Sequence, residues 1–280
     1  TLHYHNIQGG IIMNYEKIMT EIKSVREFKK QAVDSNLLSL IIKEAEKAGS
    51  INDSEISLSI VEDGEKFFND YDGKIGHFGK LIKAPKYILL FGKNDENTKL
   101  KCGYMAEWMR FRLYDNELSS CWISATEGVN YSDIFSISPE KTLVACIGLG
   151  YEYGGVFKKN TDKKAERKGP VEFVYDSTFG NVITWEKLSQ MGLEEVFYLA
   201  KFAPSWGNKQ PWSFVVTEKD VYLLMEKSSG SDLDLEAGII AFYFMKAGEA
   251  KGISVNMMAC NEAGQIKAPE NQEIKLKFYF

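Results

Sequence analysis

The ten residues APSWGNKQPW, at positions 203–212, decide how the rest of the chain is interpreted. They separate an apolar, helix-like segment (196–202) from a strand-like run (213–217). Pro204 ends the helix because the residue before a proline is disfavoured in the helical region, and Gly207 gives the turn conformational freedom. These residues predict a loop that leads from a helix into a strand.

The polar side chains of this loop suit a flat heteroaromatic ligand. Ser205, Asn208 and Gln210 can form hydrogen bonds, and each amide offers both a donor and an acceptor to the edge of a ring. Trp206 and Trp212 flank them. The alternative interpretation is an ordinary helix-to-strand turn in which these polar residues bind nothing.

Composition narrows the class of protein. The chain has 280 residues, of which 44% are hydrophobic, enough for one large core or two modest ones. Its formal net charge of -5 argues against a nucleic-acid partner bound through phosphates. No apolar run is long enough to span a bilayer, so we expect no membrane partner. Residues 1–12, which precede Met13, are expected to be a non-native or upstream extension, and no signal peptide is predicted.

Cysteine and histidine usage indicates a reducing environment without a metal. The four cysteines include no C-x-x-C pair, which predicts reduced thiols and a cytoplasmic location. The three histidines do not cluster with a cysteine, so we expect no metal site.

Hydrophobic periodicity predicts the main elements. We expect helices over 15–22, 35–48 and 99–118, and strands over 56–61, 86–91, 120–124 and 142–150. The glycines at 148, 150 and 154 do not form a dinucleotide fingerprint, because the third glycine is one place late and no helical pattern follows.

The loop at 203–212 resembles the APSxxNxQPW signature of the nitroreductase family of FMN-dependent oxidoreductases. All seven specified positions match: Ala203, Pro204, Ser205, Asn208, Gln210, Pro211 and Trp212. Three further segments resemble other motifs of that family. They are Ser24-Val25-Arg26, similar to its phosphate-binding stretch, Glu127-Gly128, similar to its P-x-E-G loop without the proline, and residues 167–174, similar to its R-K-P-x-E-x-V segment.

The resemblance implies an FMN site in which the flavin, not a catalytic side chain, carries the chemistry. Phosphate binding is implied for Ser24, Val25, Arg26, Arg167 and Lys168. The backbone N–H of Gly128, which follows Glu127, is implied to point at flavin N5. Contacts to the ring edge or ribityl chain are implied for Pro204, Ser205, Trp206, Asn208 and Gln210. Ile22 stands where the family usually has an arginine, so one phosphate contact is missing or comes from elsewhere.

Each motif also has a simpler interpretation when it is taken alone. Residues 24–28 could be a surface turn, residues 127–128 an ordinary glycine-containing loop, and residues 167–168 a solvated basic patch. The agreement of several motifs in one chain is what favours the family.

The second half of the sequence repeats the first in outline. Residues 45–61 align without gaps with 200–216, and 99–118 align with 234–253, although a chance match of generic helix–loop–strand patterns is the alternative. Family members are homodimers whose flavin lies between subunits, and each half of this chain keeps motifs that the other lacks. The resemblance therefore implies a single-chain pseudo-dimer, with phosphate and N5 contacts from residues 13–180 and the signature loop from residues 181–280.

The implied fold is α+β and nitroreductase-like, internally duplicated, with mixed, mostly antiparallel central sheets flanked by helices. The implied activity is hydride transfer from NADH or NADPH through FMN to an electron-poor small molecule, such as a nitroaromatic or a quinone, with ping-pong kinetics. Two alternatives stay open. One is a flavin-binding sensor or carrier without turnover, and the other is a structural domain in which the motifs are relics.

Overall fold

The computed structural model describes residues 13–48, 56–126, 128–155, 165–230, 232–260 and 266–280. The eight α-helices in these ranges are α1 (Tyr15–Glu21), α2 (Ser35–Ala48), α3 (Gly64–Tyr71), α4 (Glu96–Asp115), α5 (Tyr131–Phe135), α6 (Trp185–Gln190), α7 (Glu194–Ala200) and α8 (Leu233–Ala250). The nine strands are β1 (Ser57–Val61), β2 (Lys86–Lys93), β3 (Ser119–Ile123), β4 (Lys141–Gly150), β5 (Val174–Asp176), β6 (Trp212–Val216), β7 (Asp220–Glu226), β8 (Asn256–Ala259) and β9 (Gln272–Tyr279). Short 3-10 turns occupy Pro170–Glu172, Trp206–Asn208 and Lys227–Ser229.

The described residues form two compact units. The N-terminal unit comprises those between Ile22 and Lys164, and the C-terminal unit comprises those up to Glu21 together with those from Ala165 onward. This division differs from a linear one at residue 180, since β5 pairs with β6 and α1 packs on α7 and α8. The segment that contains Arg167 and Lys168 therefore folds with the C-terminal unit.

The N-terminal unit is built on a four-stranded sheet of order β1-β2-β4-β3, in which every pair is antiparallel. The central strand β2 is buried at seven of its eight positions, as its continuous apolar sequence predicts. The C-terminal unit has a five-stranded sheet of order β5-β6-β7-β9-β8. Only the β5–β6 pair is parallel. The predicted α+β fold with mostly antiparallel sheets is confirmed.

Helix α4 shows how local chemistry moves a boundary. It begins at Glu96, three residues before the predicted start, because the carboxylate of Asp95 caps it by accepting from the backbone N of Thr98 at 2.9 Å. It ends at Asp115 because Glu117 adopts the left-handed region, with φ 61°. Apolar periodicity shows neither the Asp95 cap nor the left-handed Glu117. The predicted helix therefore lies about one turn too far toward the C-terminus.

The two sheets share one topology. Strands β6-β7-β9-β8 repeat the order of β1-β2-β4-β3, namely first, second, fourth and third along the chain. In both sheets the second strand has a register shift against its partner in the fourth, at Leu90/Phe91 and at Leu223/Leu224. The ungapped alignment of 45–61 with 200–216 places β1 on β6 residue for residue. A register shift in the same strand pair of both sheets is what an internal duplication would leave.

Candidate functional site

The signature loop follows α7 and enters β6, as predicted. Its backbone adopts the left-handed region three times, at Gly207 (φ 59°), Asn208 (φ 57°) and Gln210 (φ 50°). Glycine takes this conformation without strain, but glutamine does so at a cost. Strained residues cluster at ligand sites, where the surroundings hold them in place.

Two side chains hold this loop in shape. The hydroxyl oxygen of Ser205 accepts a hydrogen bond from the backbone N of Gln210 at 2.8 Å. On the other side, a carboxylate oxygen of the buried Glu236, in α8, accepts from the backbone N of Trp206 at 2.6 Å. The loop is therefore fixed both internally and to the helix behind it. Glu236 was not anticipated from the sequence, because its partner is a backbone N–H and leaves no motif.

The two tryptophans of the loop have different roles. Trp212 is fully buried in the core of the C-terminal unit. Trp206 is half-buried, and the Nζ of Lys209 lies 4.4 Å from the centre of its ring, a cation–π contact. Only Trp206 of the pair therefore presents part of its indole to a ligand.

Residues 166–168 lie directly against the loop. The amide nitrogen of Asn208 donates to the backbone oxygen of Glu166 at 2.9 Å. The backbone N of Lys168 donates to the side-chain oxygen of Gln210 at 3.0 Å, and the Lys168 ammonium donates to the backbone oxygen of Gln210 at 3.3 Å. The structure thus brings together predicted site residues from two motifs that are about forty positions apart in the sequence. Gln210 is only 4% exposed, so its amide joins the two segments, and a contact with the flavin stays a prediction.

Three buried polar atoms at this junction have no hydrogen-bond partner within the part of the chain that the structure describes. They are Nε and Nη1 of Arg167 and the amide oxygen of Asn208. Burial lowers the pKa of the Arg167 guanidinium from its ordinary value. Buried donors and acceptors are almost always paired in folded proteins, so these atoms point to a polar ligand with both an anionic and a donor group.

In the N-terminal unit, the predicted phosphate segment is held along the sheet. Ser24 forms an isolated bridge with Ser120 of β3, and the backbone N of Val25 donates to the backbone oxygen of Ser120 at 3.0 Å. Val25 is buried, whereas Arg26 is exposed. Because Val25 is buried and Arg26 is exposed, the Arg26 guanidinium stays accessible while the backbone of the segment is held against β3. Ile22, which replaces the usual arginine, is buried in the apolar core.

The predicted N5 loop follows β3. Glu127 lies outside the described residues. Gly128 is exposed with φ 75°, and a Cβ added there would meet no atom within 4 Å. The position therefore needs glycine for its backbone conformation, and it leaves open space for the close approach of a ligand.

The start of the Gly128 loop is braced by residues that sequence reasoning missed. The Thr126 hydroxyl donates to the backbone oxygen of Gly76 at 2.9 Å. The backbone N of Gly76 donates to the backbone oxygen of Ser124 at 3.0 Å. The buried Tyr131 hydroxyl accepts from the backbone N of Thr126 at 2.7 Å and donates to the backbone oxygen of Lys74 at 3.1 Å. Burial raises the pKa of Tyr131, so its hydroxyl stays a donor at neutral pH. The glycines spaced three apart at 73, 76 and 79 were the only sequence signal.

No helix in the described ranges is long and apolar enough to cross a membrane. Within the same ranges, no group of three or more histidine, cysteine, aspartate or glutamate side chains could hold a metal ion.

The chain is similar to known proteins in sequence and in fold. A family model described as "Putative TM nitroreductase" matches residues 14–247. In fold, the chain is similar to a putative nitroreductase from Thermotoga maritima MSB8, with a TM-score of 0.61, 15% identity, and coverage of 100% of this chain and 97% of that one. A search of curated proteins returned no match.

Weaker structural matches cover about half of the chain. A nitroreductase with bound FMN from Bacteroides fragilis NCTC 9343 has a TM-score of 0.41 and 17% identity, over 53% of this chain and 94% of that one. An FMN-dependent nitroreductase from Clostridium difficile R20291 has a TM-score of 0.41 and 19% identity, over 52% of this chain and 90% of that one. The match to the Thermotoga maritima protein shows that the molecule is an α+β protein of nitroreductase fold. Because the family model covers most of its length, the chain belongs to the family described as "Putative TM nitroreductase".

Proposed function

We propose that this protein is an FMN-dependent oxidoreductase that transfers hydride from NADH or NADPH to an electron-poor small molecule, such as a nitroaromatic or a quinone. Family membership supports an oxidoreductase. The observation that carries the cofactor assignment is the buried junction of Arg167 and Asn208, where Nε and Nη1 of the guanidinium and the amide oxygen have no partner among the described residues. The phosphate of FMN can accept from the Arg167 guanidinium, and donors on its ring or ribityl chain can reach the Asn208 amide oxygen. These two residues therefore fit FMN.

Each proposed contact uses the chemistry of the residue at that position. Arg26, Arg167 and Lys168 supply positive charge for the phosphate, and the planar guanidinium fork suits a phosphate monoester. Ser24 adds a hydroxyl, and Val25 anchors the backbone between them. The backbone N–H of Gly128 is assigned to flavin N5. Ser205, Asn208 and Gln210, with Pro204 and Trp206, are assigned to the ring edge and ribityl chain.

We further propose that both units bind the same FMN, so that one chain performs the role of a homodimer. The shared strand order of the two sheets supports a duplicated origin. When bound, FMN supplies the two-electron chemistry, taking and giving hydride in turn, which gives ping-pong kinetics. The protein groups hold and orient it, and none of them is required as an acid, a base or a nucleophile. We place the activity in the cytoplasm, where the four cysteines stay reduced.

The second candidate is a protein that retains FMN but does not turn over. The burial of Ile22 in place of an arginine favours it, because one charged phosphate contact is lost at that position. Both candidates predict a yellow protein. They differ in whether a nicotinamide bleaches it.

An absorbance spectrum of the purified protein, followed by anaerobic titration with NADH and then with NADPH, tests the proposal. We expect the visible bands of oxidised flavin and their loss with one equivalent of at least one nicotinamide. A spectrum that neither nicotinamide changes would support the non-catalytic candidate. A colourless protein that also does not bind added FMN would contradict both candidates. It would favour a structural domain in which the motifs are relics.

A further inference from the structure

A buried pair of opposite charges lies on α4, in the N-terminal unit. Glu107 is 0% exposed and Arg110 is 2% exposed, and the Nη1 of Arg110 lies 2.7 Å from a carboxylate oxygen of Glu107. The indole nitrogen of Trp122, on β3, donates to the same oxygen. Burying two charges is costly even when they are paired, and a well-packed apolar pair of similar volume is often more stable. Stability alone is therefore a weak reason for this pair.

The pair reaches the predicted phosphate segment through one residue. The Nε of Arg110 donates to the hydroxyl of Ser120 at 3.2 Å. Ser120 is itself buried, and its backbone oxygen accepts from the backbone N of Val25 at 3.0 Å. Ser24 bridges to the same residue. Ser120 is thus bound by the guanidinium on its side chain and by the phosphate segment on its backbone.

Arg110 is tied at both ends of its planar group, to Glu107 through Nη1 and to Ser120 through Nε. A guanidinium fixed at two points has little rotational freedom, so it sets the position of whatever it contacts. Here that contact is Ser120, the second residue of β3, which forms a bridge with Ser24 and accepts a hydrogen bond from the backbone N of Val25. The exposed Arg26 follows Val25 directly, so its position depends on the contact between Val25 and Ser120.

We infer that Arg110 and Ser120 are positioning residues for phosphate recognition by the Ser24–Arg26 segment. Both act through other residues, since the Arg110 guanidinium bonds to Glu107 and Ser120, and the backbone oxygen of Ser120 bonds to Val25. Their effect is to hold the segment where its hydroxyl and guanidinium meet a phosphate monoester. The inference rests on the proposed function, and it adds that these two residues strengthen the preference for FMN over riboflavin, which lacks the phosphate.

The two flavins separate this role from a merely structural one. A variant that only loosens the fold should weaken FMN and riboflavin binding equally, and the ratio of their dissociation constants should not change. A variant that displaces the phosphate segment should weaken FMN alone. The ratio of the riboflavin to the FMN dissociation constant is therefore the measurement of interest.

The experiment uses apo-protein and fluorescence titration with each flavin, for the wild type and three variants. Arg110→Gln removes the charge, and Ser120→Ala removes only the hydroxyl acceptor. Arg112→Gln is the matched control, because Arg112 is a buried, ion-paired arginine on the same helix whose partners are Glu44 and Asp115. We expect the ratio to fall about tenfold in Arg110→Gln and about threefold in Ser120→Ala, and to stay within about twofold in Arg112→Gln.

The wild-type ratio of dissociation constants should be well above one. If neither Arg110→Gln nor Ser120→Ala lowers it, the inference is overturned and the proposed function stands. A wild-type ratio near one would mean that the phosphate is not recognised, which overturns the inference and the proposed phosphate site together. If Arg110→Gln does not fold, Ser120→Ala decides, because it leaves the ion pair intact.

Discussion

Replacing Arg167 by methionine is expected to weaken FMN binding about 10- to 100-fold without destabilising the ligand-free protein. The loss follows from the removal of charge-assisted hydrogen bonds to the phosphate. The unchanged stability follows from the absence of partners for Nε and Nη1 among the described residues. Methionine keeps the apolar stem and removes buried donors that are unsatisfied, so the ligand-free variant should be as stable as the wild type or slightly more stable.

Fluorescence titration with FMN and urea unfolding of the apo-protein measure these two effects. Lys219→Met, which removes an exposed positive charge from the same unit, is the control and should change neither quantity. Unchanged FMN affinity in Arg167→Met would remove this residue from the site. A large loss of apo-protein stability would show that the guanidinium has a partner within the protein.

The second large effect is expected from Gly76→Ala. A Cβ at this position would overlap the backbone carbonyl of Lys80, and the φ of 112° is already unfavourable for alanine. Because the obstacle is backbone and not a flexible side chain, the loop must move, and we expect a loss of about 3 kcal/mol in the free energy of unfolding. The displacement would also break the hydrogen bonds to Ser124 and Thr126 that brace the Gly128 loop.

Gly73→Ala is the matched control in the same loop. It has φ 93°, but a Cβ there meets no atom within 4 Å, so it should cost only the backbone term of about 1–2 kcal/mol. Urea unfolding of both variants and of the wild type gives the comparison. Equal losses would contradict the steric account of Gly76 and with it the view that this loop is rigid.

Local patterns were enough to predict the parts of the fold that are specified locally. The amphipathic repeat in residues 35–48 gave α2 at its observed bounds, and the apolar run from Lys86 predicted the buried strand β2. The order of the strands within each sheet could not be read in this way, because pairing is decided between distant segments. The strands β7 and β9, which pair with each other over seven residue pairs, were not anticipated either.

The candidate site likewise combines local features that the sequence predicts with distant contacts that it does not. The motif at 203–212 predicted a loop between a helix and a strand, but not that Gln210 would be buried and joined to Lys168. Sequence order assigned Lys168 to the first half, whereas contacts place it beside the signature loop in the C-terminal unit. The braces formed by Glu236 and Tyr131 escaped notice because they act on backbone atoms, which any sequence provides. Contacts of this kind become visible only in three dimensions.

We propose that the Ser24–Arg26 segment and the 205–210 loop bind one and the same FMN. FMN titration of the apo-protein, for the wild type, Arg26→Ala and Asn208→Ala, tests it most directly. The account predicts one FMN per chain, with affinity lowered at least about fivefold by each substitution alone. Two FMN molecules per chain, or one whose affinity depends on only one of the two segments, would contradict it.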